Sequence, residues 1–185
     1  MAIDSAAVPV PGTITVVAGL PGVGKSTLSN RLAGYFSPGA HVEADRLQEL
    51  IVTGRAYGAP TGLSTEAIDQ LRLRLRQAAL LATSFADAGV HAVVDDIVAG
   101  ARYDEFVSDL NGHPFSFVML LRDLDVMKEE WRAIGSPFAD SWDWIDRDIR
   151  ERTPRVGLWI DTTGKDADQV FDEVVARLDE AVVSR

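Results

Sequence analysis

The sequence predicts an α/β domain built on a parallel sheet with helices on both faces, and three observations carry that expectation. Apolar runs of strand length alternate with longer segments of helical period, the pattern of right-handed βαβ units. Residues 115–121 (FSFVMLL) show no polar alternation beyond Ser116, as a strand buried on both faces should. Residues 13–18 (TITVVA) form a β-branched run that passes straight into a glycine-rich turn and then a helix.

Taken in order, the first strand is 13–18, and the helix after it covers 25–36, with Leu28, Leu32 and Tyr35–Phe36 on one face. A second strand is expected over 40–44 and a short helix over 46–52, ended by Gly54. A loop follows at 57–62, and Ser64 is an expected N-cap for a long helix to about 88, closed by Gly89. The third strand is 91–95 (HAVVD), and the next helix, 101–110, stops at Asn111–Gly112. After the strand at 115–121 come helices at 126–134, broken by Gly135–Ser136–Pro137, and at 142–152. A fifth strand at 157–160 and a terminal amphipathic helix at 167–183 complete the chain. With no internal repeat and no low-complexity linker, residues 1–185 are expected to form a single domain.

Composition narrows the function classes. A chain of 185 residues is long enough to bury most of the surface its unfolded form exposes. It has no cysteine, which excludes disulfides and Cys-ligated zinc, and its three histidines (His41, His91, His113) are far apart in sequence. Its net charge of −10 argues against general binding to nucleic acid or anionic lipid. No apolar run approaches the roughly 20 residues of a membrane span. Residues 1–10 lack the basic start of a signal peptide, so a cytoplasmic location is expected. Only three lysines occur, Lys25, Lys128 and Lys165.

Lys25 falls inside a phosphate-binding loop. Residues 19–26 (GLPGVGKS) match G-x-x-x-x-G-K-[ST] at every position, directly after a strand and at the start of a helix. Gly19, Pro21, Gly22, Val23 and Gly24 supply the backbone cradle, and Thr27 follows in the first turn. The chemistry expected is capture of ATP phosphates by backbone N–H groups, with Lys25 on the β- and γ-oxygens and Ser26 on Mg²⁺. Such a site needs a carboxylate at the end of a neighbouring strand. The apolar strand at 91–95 ends in Asp95–Asp96, and strand alternation allows only one of the two to face the metal. Asp95, directly after the apolar run, is assigned to Mg²⁺ and Asp96 to the substrate side. Asp45, after the second strand, suits either a base for an acceptor hydroxyl or a helix N-cap.

The segments GLPGVGKST, VEADRLQEL, AGVHAVVDDI, LLRDLD and LWIDTTG follow one another in an order and spacing similar to the chloramphenicol phosphotransferase-like family of P-loop kinases. The resemblance runs from about residue 13 to 178. It implies a five-stranded parallel P-loop kinase fold, for which we expect the strand order 2-3-1-4-5 and a helical lid. It also implies transfer of the ATP γ-phosphate to a hydroxyl of a small molecule, with Asp45 as catalytic base. The lid, about 132–152, departs from the usual R-x-x-x-R spacing. Arg132 fits the first position, where it would act catalytically, but Ser136 stands in the second. Arg147 or Arg150 either supplies the missing charge or pairs with Asp143 or Asp146 on the helix surface.

Residues 46–89 are where such kinases insert acceptor-binding helices, and Arg72 and Arg76 on one helix face either meet an acceptor anion or form a solvated surface. Trp131, Trp142 and Trp144 either wall the acceptor site or pack the lid. Thr162, Thr163 and Gly164 are expected beside the adenine, where Arg122 either stacks on the base or pairs locally. The sequence thus predicts an ATP- and Mg²⁺-dependent O-phosphotransferase acting on a small hydroxylated acceptor, an antibiotic among the candidates. A nucleoside- or nucleotide-type kinase and a non-catalytic ATP-binding module are the alternatives. Neither nucleic acid nor membrane is an expected partner.

Overall fold

The computed structural model describes residues 13–183. The segment read above for a leader, residues 1–10, lies outside them. Five parallel strands, β1 (Ile14–Gly19), β2 (Gly39–Glu43), β3 (His91–Asp96), β4 (Phe115–Leu121) and β5 (Leu158–Asp161), form one sheet in the order β2-β3-β1-β4-β5. β1 lies at the centre, and its side chains, like those of β3 beside it, are buried on both faces. That is why these runs read as continuously apolar rather than alternating. The register sets Val17 beside Asp95 and Ala18 beside Asp96, so the end of β3 stands level with the entry to the phosphate loop.

Helices α1 (Lys25–Tyr35), α2 (Ala44–Glu49), α3 (Thr65–Asp87), α4 (Ala101–Asp109), α5 (Leu124–Ala133), α6 (Asp143–Arg147) and α7 (Ala167–Ala176) fill the connections. α3 begins at Ser64, whose side chain accepts from Ala67 N at 3.1 Å. α7 begins with a full capping box between Asp166 and Gln169. Among the described residues no helix is long and apolar enough to cross a membrane.

Of the boundaries that differ from expectation, three change the reading of the chain. α2 starts at Ala44, two residues early, which moves Asp45 inside the helix. The expected helix at 142–152 is α6 followed by a single π turn over Asp148–Arg152. The terminal helix stops at Ala176. Arg177 leaves helical geometry at φ −126°, a 3₁₀ turn covers Leu178–Ala181, and Val182 bridges Ser116 beside β4.

The opposite end of the sheet is sealed by His91 at the start of β3. Its ring meets Thr13 Oγ1 at 2.7 Å and Thr15 Oγ1 at 2.9 Å and stacks on Phe36 at 3.6 Å between centroids. Burial pushes its pKa down to about 4, so it is neutral in the folded protein near pH 7.

Candidate active site

The loop from Gly19 to Ser26 turns the end of β1 into α1. Gly24, the N-cap, has φ 100°, a left-handed conformation that side chains disfavour. Gly22 has φ 77°, and a Cβ there would lie 3.2 Å from Trp131 Nε1, so α5 packs across the loop at a position that needs glycine. No side chain caps α1 and its first turn holds no acid, which leaves its N–H groups and dipole to attract an anion. Lys25 opens the helix, and its Nζ donates to Leu20 O at 3.0 Å. Burial pulls the pKa of this ammonium down, while the carboxylates of Asp96, Asp95 and Asp45 oppose the shift.

The two aspartates ending β3 part company, as the pleat requires. Asp95 Oδ2 accepts from Ser26 Oγ at 2.5 Å, and Oδ1 contacts His41 Nε2 of β2 at 2.9 Å. Asp96 turns the other way and accepts from Arg74 Nε at 3.0 Å and from Arg74 Nη2. Arg74 comes from α3 and also donates to Asp45 Oδ1 at 2.5 Å and Gln48 Oε1 at 2.9 Å. One guanidinium therefore ties α2, α3 and β3 together. Its own side chain is only 9% exposed, whereas that of Asp45 is 72% exposed. Glu43 holds the N-cap position of α2, so Asp45 is not a cap. It stands in the first turn with its carboxylate at the cleft mouth. Crowding by the cleft walls raises its pKa, and the Arg74 charge opposes the rise.

Lys25, Asp45, Gln48, Arg74 and Asp96 face a cleft of about 780 Å³ that also takes in Pro21, Gly22, Ser26 and Thr27 from the loop. Its far wall is aromatic and aliphatic: Tyr57, Leu63 and Leu71 from one side, Phe138, Trp142 and Trp144 from the other. Phe138 stacks on Trp142 with centroids 5.7 Å apart. Trp131 instead lies against Gly22 and is partly buried against the core. Arg102 of α4 also reaches the cleft. A second cavity, of about 180 Å³, opens on the other side of the loop between Val23, Thr27 and Arg122, Thr162 and Lys165.

Several expected residues sit elsewhere. Arg72 and Arg76 are absent from the main cleft. Arg72 meets Glu105 of α4 at 3.5 Å, and both arginines line an outer groove. The residue between them, Arg74, takes the place expected of them, because residues two apart on a helix face different ways. Arg132 is exposed and donates to Asp140, outside both the cleft and the second cavity. Arg150 pairs with Asp146 at 2.8 Å on the helix surface, and its Nη2 donates to Arg122 O at 3.3 Å. Of the three residues expected beside the adenine, Thr162 lines the second cavity and Thr163 and Gly164 do not. The Thr163 hydroxyl accepts from Asp123 N at 2.8 Å instead. Arg122 does line that cavity, with Nη2 donating to Glu130 at 2.5 Å.

No protein-family model matches the chain, and no curated protein sequence matches it significantly. Solved structures do match. A sugar kinase from Janibacter sp. HTCC2649 superposes with a TM-score of 0.67 at 21% identity, covering 91% of this chain and 95% of its own. The tunicamycin resistance protein of Deinococcus radiodurans gives 0.65 at 22% identity, covering 94% and 99%. The APS kinase of Mycobacterium tuberculosis, in complex with AMPPNP and APS, gives 0.62 at 19% identity, covering 92% and 99%. The chain therefore has the fold of small-molecule P-loop kinases, a five-stranded parallel sheet in the order 2-3-1-4-5 with helices on both faces.

Proposed function

We propose that the protein is an ATP-dependent phosphotransferase that moves the γ-phosphoryl group to a hydroxyl of a small acceptor. The observation that carries the proposal is the convergence on one cleft of Lys25, Ser26 and Asp45, with Asp95 hydrogen-bonded to Ser26 behind the cleft wall. The loop fits a triphosphate, because an uncapped helix start and a desolvated lysine are groups that an anion would satisfy. Ser26 and Asp95 fit Mg²⁺, since a hydroxyl and a carboxylate are hard oxygen ligands already held 2.5 Å apart. When bound there, the metal ion neutralises charge on the phosphate oxygens.

Each remaining role falls to a residue of this chain. Asp45 takes the proton of the acceptor hydroxyl as that oxygen bonds to the terminal phosphorus, and ADP leaves. Its raised pKa makes it a stronger base than an ordinary aspartate. Arg74 fixes its carboxylate on one side and leaves the other open to the cleft. The acceptor occupies the wall between the helices of 46–89 and a lid at 132–152. Tyr57, Trp142 and Trp144 there suit an apolar or aromatic body, and an antibiotic falls within that class. The second cavity, with Arg122 and Thr162, suits the adenine.

The test is ADP release from ATP and Mg²⁺ across a panel of hydroxylated acceptors. Asp45→Asn should lower acceptor-stimulated turnover roughly 10²–10⁴-fold with nucleotide affinity kept. Turnover equal to that of the wild type would remove Asp45 from the role of base. One observation favours an ATP-binding module with little turnover, namely that Arg132 is held by Asp140 rather than turned to the cleft. ATP binding with no acceptor-stimulated ADP release across the panel would support that alternative.

A further inference from the structure

Arg102 is the second residue of α4, so its positive charge stands at the helix end where the dipole disfavours a cation. Burial pulls the pKa of its guanidinium below the ordinary value, although arginine stays charged in any protein environment. The acids whose charge reaches it are all engaged by other arginines. Asp96 is held by Arg74, Glu105 by Arg72 at 3.5 Å, and Asp148 by Arg152 at 3.1 Å. Among the described residues no carboxylate forms an ion pair with Arg102. Gly100, at φ 54°, starts α4 so that Arg102 stands where the main cleft meets an adjoining cavity of about 240 Å³. Both spaces share Leu63, Ile97, Trp144 and Ile145 with it, and Arg102 is the charged member of that set.

Three unfavourable features thus coincide at one side chain: a wrong-end cation, partial desolvation, and no counter-ion. A desolvated charge is ordinarily paired within the protein. At Arg102 no described residue supplies an ion-pair partner, and the side chain borders the open cleft beside its apolar wall. We propose that Arg102 is the receptor for an oxyanion of the acceptor, so that the substrate class is a hydroxylated compound bearing a carboxylate or phosphate group on an apolar or aromatic body. This rests on the main cleft being the acceptor site.

The test compares benzoate, phenyl phosphate and neutral benzyl alcohol as probes, titrated calorimetrically into the full-length protein with and without Mg²⁺ and AMPPNP. Wild type should bind at least one anion about tenfold or more tightly than the alcohol, and which anion wins separates carboxylate from phosphate. Arg102→Met should lose that preference while binding AMPPNP normally. Arg102→Lys should recover part of it, and also serves if the Met variant does not fold. Arg76→Met, an equal change of charge in the outer groove, should leave it intact. Equal binding of all three probes by wild type, or an anion preference that survives in Arg102→Met, overturns the inference. If AMPPNP itself fails to bind, the kinase proposal falls, and the dependence of anion binding on Arg102 in the free protein still decides this one.

Discussion

The two walls of the main cleft are built in opposite ways. The phosphate-loop wall comes from one contiguous stretch, Gly19 to Thr27, braced by the end of β3. The acceptor wall gathers Asp45, Gln48, Tyr57, Leu63, Leu71, Arg74, Arg102 and Trp142 from segments up to 97 residues apart in sequence. In the proposed reaction the first wall recognises its ligand through backbone N–H groups and one lysine, so its chemistry is fixed by conformation. The second does so through side chains held by other side chains, so its chemistry depends on the register of α3 and α4. A substitution in the first wall should therefore act on chemistry. In the second, Asp45 apart, it should act on stability or acceptor choice.

The largest effect is expected at Lys25. Lys25→Met removes the one ammonium at the loop and should lower turnover roughly 10³–10⁵-fold, the range for a charge that stabilises phosphoryl transfer. Urea unfolding should show no comparable loss of stability. Turnover within tenfold of wild type would break the distinction drawn between the walls.

Next comes Arg74, where the two adjacent exposed arginines serve as internal controls. Arg74→Met leaves Asp96 buried and uncompensated and should cost about 4 kcal/mol of stability. Arg72→Met and Arg76→Met should each change stability by no more than about 0.5 kcal/mol. Urea titration of the three variants decides this, and similar losses in all three would deny Arg74 its special place.

This contrast explains how much was legible in advance. The loop was, because its spacing alone dictates its geometry, and so was the parting of Asp95 from Asp96, which follows from strand alternation. Arg74 was not, because Arg72 and Arg76, four residues apart, present a charged helix face that masks the residue between them. A signal existed: Ala67, Arg74, Ala78, Ala82 and Ala86 all lie on the buried stripe of α3, and an arginine on an apolar stripe requires a carboxylate opposite. Arg102 gave a weaker sign, a cation in the first turn of a helix that follows glycine. That Asp45 lies inside α2 rather than at its cap was hidden, because the helix starts at Ala44 with no side-chain cap to mark it.

The two ends of β3 extend the same comparison. Asp96 lines the cleft and Asp95 holds Ser26 of the loop, whereas His91, at the other end, bonds Thr13 and Thr15 and stacks on Phe36. The unfolded chain binds a proton at His91 near pH 6.5, but the folded protein resists until about 4. The stability this represents is fully present above pH 6.5 and is lost as pH falls through that window, about 3 kcal/mol in all. Subtracting the urea-derived profile of His91→Gln from that of wild type should isolate the slope. Parallel profiles would mean that His91 titrates alike in both states.

The smallest effect on stability is expected at Arg132, which lies outside both walls of the cleft. Its guanidinium is 54% exposed and its partner Asp140 68% exposed, so solvent screens the pair and Arg132→Met should alter stability by about 0.5 kcal/mol or less. Turnover is then the informative quantity. If the segment 132–152 closes over bound nucleotide, Asp140 must release Arg132 before that charge reaches a phosphoryl group. Removing the competitor should then raise activity, so Asp140→Asn is expected to increase turnover by about threefold or less, a surface-pair effect of under 1 kcal/mol. Arg132→Met should lower it by tenfold or more. If neither variant moves turnover, Arg132 is a surface residue, and the charge that completes the phosphate wall comes from Lys25 and the start of α1 alone.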